Sequence, residues 1–182
     1  MATPPALLFY CPHRVNEDQL VRSWALADSL SATFRTVYVA GAPLPRGIRS
    51  PSCVQIVTLP VLELGEDGSM LAKEDGVSIV AIQKRRARML LDTYFLTDPA
   101  VVVVERFPFA CAIFANELRP MLEYAAAALR RPIVICSPFE TAHEAPGRRE
   151  PDLAQRLVDT YIEASVNARQ HPSRARLRMD GV

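Results

Sequence analysis

The side chains best suited to chemistry fall in three places. The first is "PHRVNEDQ" (Pro12–Gln19), which gathers His13, Arg14, Glu17 and Asp18 directly after a short apolar run. An imidazole titrates near neutral pH, so His13 is a candidate general base, weighed against a plain surface histidine. The second is "ERFPFACAIFANELRPMLEYA" (Glu105–Ala125), which opens on a carboxylate closing the most apolar run of the chain. Glu105 reads either as a ligand contact or as the partner that Arg106 neutralises; Phe107 and Phe109 read as packing for the loop. The third is Glu140 with His143, an acid/base pair whose geometry the sequence does not fix.

Phosphate chemistry is poorly served. Neither GxGxxG nor GxxxxGK[ST] occurs in the chain, and Glu17 and Asp18 put negative charge where a phosphate would sit. Those acids suit the first turn of a helix, so the loop reads as an ordinary helix start. The run "KRRAR" (Lys84–Arg88) reads as a solvated helix face, with Arg85, Arg86 and Arg88 away from a Val80/Ala87/Leu91 stripe. The tail arginines Arg169, Arg174, Arg176 and Arg178 have no interleaved aromatics, so no nucleic-acid partner is expected. Cys11, Cys53, Cys111 and Cys136 form no CxxC pair, and neither a metal site nor a disulfide framework is expected.

The elements that must position these residues alternate. Ala6–Cys11, Arg35–Ala40, Val54–Leu59, Ala100–Glu105 and Pro132–Ser137 read as strands. Gln19–Ser31, Val77–Phe95, Cys111–Arg130 (with Pro120 inside) and Pro151–Ser165 read as helices. Gly41–Ser52, with three prolines and two glycines, is a loop, and Leu62–Gly76 reads as another. Strands separated by helices imply an α/β fold: a Rossmann-like parallel sheet of about five strands, with helices on both faces. Ligands of such sheets bind beyond the carboxyl ends of the strands. The loops after Cys11, Ala40, Leu59, Glu105 and Ser137 are therefore the ones to inspect.

Bulk properties bound the class. The 182 residues suit a single domain over residues 6–165, and the arginine-rich stretch 166–182 reads as a disordered tail. A hydrophobic fraction of 49 % supports a packed core, and a net charge of +1 gives no global field for nucleic acid or membrane. No signal-like start and no apolar run near the ~20 residues of a bilayer span is present, so no transmembrane segment is expected. Together with the unpaired cysteines, this predicts a reducing, cytoplasmic setting.

Three segments carry a family resemblance. "LLFYCPHRVNEDQLVRSWALADSL", "VVVVERFPFACAIFANELRPMLEYA" and "RPIVICS" resemble the N-terminal half of predicted bacterial glycosyltransferases of the GT-B type, relatives of family 28. The resemblance implies two Rossmann-like domains facing a cleft, the first holding the acceptor and the second the nucleotide-sugar donor, without bound metal. Leu20, Arg22 and Ser23 match the family's "L-x-R-S/A" context, so Arg22 and Ser23 join His13, Glu105, Arg106, Glu140 and His143 as candidate substrate contacts. The family's glycine-histidine pair falls here on Asp18 and Gln19, its earlier glycine on Asn16, and His13 matches a histidine of some relatives.

The expected function is thus a glycosyltransferase-like acceptor-side domain without the donor half, inactive alone. It binds no cofactor of its own, and a nucleotide-sugar donor is expected only if a donor-domain protein supplies it. Its expected partners are that protein and a sugar or glycoconjugate acceptor. The alternatives are a non-enzymatic Rossmann-like interaction module or one subunit of a split glycosyltransferase. A free-standing dinucleotide-binding domain is disfavoured by the missing glycine fingerprint.

Overall fold

A computed structural model describes residues 3–12, 17–43, 53–64, 69–73, 76–105, 114–137 and 157–161. The sequence-predicted strands are present: β1 (Ala6–Cys11), β2 (Arg35–Ala40), β3 (Val54–Thr58), β6 (Val101–Glu105) and β7 (Ile133–Ser137). They lie in one sheet with the short β8 (Thr160–Tyr161), in the order β3-β2-β1-β6-β7-β8, and every pairing is parallel. Counting only these strands along the chain, the order is 3-2-1-4-5-6, that of a doubly wound Rossmann sheet. It reverses between β1 and β6, which makes their carboxyl ends the topological switch point of the sheet.

Strand alternation sends successive side chains to opposite faces. Leu7, Phe9, Cys11, Tyr38, Ala40 and Val103 face α1 (Glu17–Ser31), which buries Leu20, Trp24 and Ala27 against them. Leu8, Tyr10, Val39, Val102 and Val104 face α2 (Ile79–Thr97) and α3 (Ala115–Ala127). All six residues of β1 are buried, as a central strand covered on both sides must be. Helix α2 begins where the Ser78 side chain accepts a hydrogen bond from the Ala81 amide at 3.2 Å, and it ends at Asp98, left-handed with φ 44°. Pro99 follows and cannot continue the helix.

Two expectations are corrected. The segment Leu62–Gly76 is not a plain loop: β4 (Leu62–Leu64) and β5 (Met70–Ala72) pair antiparallel in a separate sheet. Leu62, Met70 and Ala72 pack there with Ile82 and Phe114. Nor is Pro151–Ser165 one helix, because Thr160–Tyr161 form the sixth strand of the main sheet. Asp159 sets that strand. Its amide donates to the Val134 carbonyl at 2.9 Å, and its carboxylate accepts from the Val134 amide at 2.8 Å and from Arg131 at 2.7 Å. With the backbone held to β7 and Leu157 in the core, the chain continues as a strand. Residues 151–156 and 162–182, with the tail expectation, lie outside the described residues.

Candidate functional site at the carboxyl edge of the sheet

The carboxyl edge is organised by a residue that sequence reasoning assigned to solvent. Arg86 is fully buried, while its neighbours Arg85 and Arg88 are exposed. The buried stripe of α2 runs through Ile82, Arg86, Leu90, Thr93, Tyr94 and Thr97, rotated from the Val80/Ala87/Leu91 stripe expected; Val80 is in fact exposed. Arg86 thus sits at i+4 from Ile82 and i−4 from Leu90, a core position.

A guanidinium has five N–H donors, and each one here has an acceptor. Nε donates to Glu117 Oε2 at 2.6 Å and Nη2 to Glu117 Oε1 at 2.8 Å, a bidentate fork. The remaining donors reach main-chain carbonyls: Nη2 to Pro12 at 2.8 Å, and Nη1 to Gly41 at 2.9 Å and Pro60 at 2.6 Å. The Tyr10 hydroxyl donates to Glu117 Oε1, and the Phe114 ring lies 5.4 Å from the guanidinium carbon. Burial opposes the charge on Arg86, but hydrogen bonding to Glu117 and the charge of that carboxylate help to outweigh it and hold the guanidinium above its usual pKa. Pro12, Gly41 and Pro60 follow β1, β2 and β3. One cation therefore ties down the exits of three adjacent strands.

On the α1 face, polar side chains are buried near the carboxyl ends of β1 and β6. Ser23 and Glu105 are both fully buried, and the Ser23 hydroxyl donates to Glu105 Oε1 at 2.5 Å. Tyr38 stacks between Phe9, at 5.2 Å, and Trp24, at 4.7 Å. Its hydroxyl lies near enough to Cys11, Ser23 and Glu105 to feel them, yet in no hydrogen bond of ordinary geometry among the described residues. Burial first, then the Cys11 and Glu105 charges, push its pKa well above the usual phenol value. The Trp24 indole N–H is likewise buried without a partner among the described residues. Cys11, Leu20, Tyr38, Ala40 and Gly41 line a small cavity of about 10 Å³ beside this cluster.

Of the seven candidate contacts named from sequence, the structure brings two together, Ser23 and Glu105. Arg22 is exposed on α1. His13, Arg106, Glu140 and His143 lie outside the described residues, as do Arg14, Phe107 and Phe109. Sequence reasoning missed Arg86, Glu117, Tyr10 and Tyr38. One signal was available: Arg86 and Glu117 are opposite charges, each spaced at helical intervals within an apolar stripe. Glu117 lies between Phe114 and Met121 just as Arg86 lies between Ile82 and Leu90.

No protein-family model and no curated protein matches the chain. Among solved structures, it is similar to the NMR structure of the pseudo-receiver domain of the CikA protein. The two are 13 % identical, with 90 % of this chain and 87 % of that one covered and a TM-score of 0.38. A likeness at that level says nothing of activity. Among the described residues no three His, Cys, Asp or Glu side chains gather as a metal site would need, and no helix is long and apolar enough to cross a membrane.

Proposed function

We propose that the chain is a glycosyltransferase-like acceptor-side domain. It holds a sugar or glycoconjugate acceptor at the carboxyl edge of its sheet, and it transfers no sugar until a donor-binding domain brings the nucleotide sugar. One observation carries the reading. The three segments that resemble the family contain β1, β6 and β7, which are adjacent in the sheet, and the first two contribute Ser23 and Glu105, which meet at the switch point. Ligands of open α/β sheets bind at such a point. Glycosyl transfer also needs donor and acceptor oriented together, so an acceptor lobe alone lacks the near-attack geometry. On this reading the buried Ser23–Glu105 pair underlies the place where the acceptor is held, and catalysis belongs to the assembled pair of domains.

The test is to incubate the purified chain with labelled uridine-diphosphate sugars and a panel of glycolipid acceptors, with and without a donor-domain protein. Saturable acceptor binding by the chain, with transfer only in the mixture, is the expected result. Turnover by the chain alone would refute the reading.

A second reading, a non-enzymatic interaction module, is favoured by an exposed aromatic cluster. Phe95 and Tyr124 meet edge to face at 4.5 Å and remain about half exposed (48 % and 49 %), and the neighbouring Leu96 is 86 % exposed. Exposed apolar surface of this kind marks contact sites. A complex that forms through this cluster and stays inactive with every donor would favour the second reading.

A further inference from the structure

The surroundings of Arg86 have the make-up of a receptor for a guanidinium compound. A carboxylate presents both oxygens to the fork, three carbonyls accept the outer N–H groups, and an aromatic ring lies against the cation. That is the set of features by which proteins hold such ions. The parts come from distant positions in the sequence: Pro12, Gly41, Pro60, Phe114 and Glu117, with Tyr10 bracing the carboxylate. The three residues whose carbonyls accept, Pro12, Gly41 and Pro60, follow three different strands. Backbone bonds join the strand ends in pairs, Gly41 N–H to the Cys11 carbonyl and Leu59 N–H to the Ala40 carbonyl, both at 2.8 Å, and the guanidinium is bonded to all three exits at once.

We propose that the three loop roots close around the Arg86 guanidinium as they would around a bound ligand, so that the exits of β1, β2 and β3 are fixed and released together. Without the cation, three carbonyls and a carboxylate lose their partner at once. A buried acceptor left unmet is costly, and the relief is for water to enter and the roots to part. One guest serves all three segments, so their openings are coupled. This inference concerns the built-in ligand and does not rest on the proposed function.

The experiment is chemical rescue. Arg86→Ala leaves the receptor with its guest removed. Amide hydrogen exchange is followed by mass spectrometry in peptides covering residues 12–20, 41–53 and 60–72, with core peptides from β6 and β7 as reference. Exchange is expected to rise about tenfold or more in all three edge peptides, and less in the reference peptides. Millimolar methylguanidinium should return all three towards the parent rate and raise the unfolding midpoint, because a ligand that binds only the native state stabilises it. Methylammonium, with the charge but not the fork, should do neither.

A response confined to one peptide, or equal rescue by methylammonium, would overturn the proposal. If Arg86→Ala does not fold unaided, Arg86→Lys gives the same reading. It keeps the charge and loses the planar fork, so joint loosening of the three peptides is expected, and unchanged protection in all three would overturn the proposal.

Discussion

Beneath α2 and α3 the sheet buries Arg86, Glu117 and Tyr10; beneath α1 it buries Ser23, Glu105, Tyr38 and the Trp24 indole. Both groups lie towards the same carboxyl edge, and strand alternation sorts them: Tyr10 points to one face and its neighbour Cys11 to the other. On the first face, every guanidinium N–H has an acceptor. On the second, a phenol and an indole N–H are stacked together with no hydrogen-bond partner among the described residues. A saturated ionic node tolerates no loss of a member, whereas a face with spare polar atoms can change at little cost. One face fixes where the loops begin. The other leaves room to respond to what arrives.

This contrast can be broken most forcefully at Arg86. Arg86→Met removes the cation and leaves Glu117 charged in a dry interior, which is expected to cost about 3–5 kcal/mol in urea unfolding. Combining it with Glu117→Leu should recover part of that loss, since the unpaired carboxylate is removed while the carbonyls of Pro12, Gly41 and Pro60 stay unmet. A double variant no better than the single would mean that the carbonyl contacts, and not the ion pair, dominate the node. On the α1 face, Ser23→Ala takes the donor from Glu105 Oε1 and should cost about 1–3 kcal/mol. A larger effect than that of Arg86→Met would reverse the ranking of the two faces.

The smallest effect at neutral pH is expected from Tyr38→Phe. Its hydroxyl has no partner among the described residues, so removing it should shift stability by less than about 1 kcal/mol. The alkaline range sharpens the point. Burial pushes the Cys136 thiol from 9.0 up to about 12, and Tyr38 also holds its proton in the folded state beyond its ordinary range. Above the unfolded values the unfolded chain loses these protons first, so it binds fewer protons than the native state and stability falls as pH rises. For Cys136 the loss begins near pH 9 and is complete near pH 12. Tyr38→Phe should flatten the alkaline limb of a stability–pH curve above about pH 10. An unchanged limb would show that the phenol is not held protonated by its surroundings. The same burial predicts that Cys136 resists alkylation in the native protein while exposed Cys53 reacts; mass spectrometry after iodoacetamide treatment reads both.

How much of this was legible in the sequence depended on how much apolar pattern each element carried. The β-branched runs "RTVYVA" and "VVVVE" gave β2 and β6 within a residue, and the five long strands followed from them. The hairpin β4–β5 escaped because strands of three residues are too short to show a period of two, and "GEDGS" between them reads as loop on its own. Strand β8 was hidden because Leu153, Leu157 and Tyr161 fit helical spacing; the Asp159 contacts to Val134 are tertiary and leave no local trace. Of the candidates, Glu105 was legible as the carboxylate that closes the most apolar strand and Ser23 came only from the family resemblance; their hydrogen bond to each other left no sign in the sequence. Arg86 was missed because reading a wheel by hydrophobicity turns every arginine outward, and a buried one is declared only by its partner on another helix.

Arg86 grips backbone oxygens at Pro12, Gly41 and Pro60, and any amino acid supplies such an oxygen. The anchorage is therefore indifferent to the spelling of what comes after each strand. Segments of new composition or length could be grafted beyond these three points while their bases stay in register, which makes this edge a natural chassis for building recognition loops of choice.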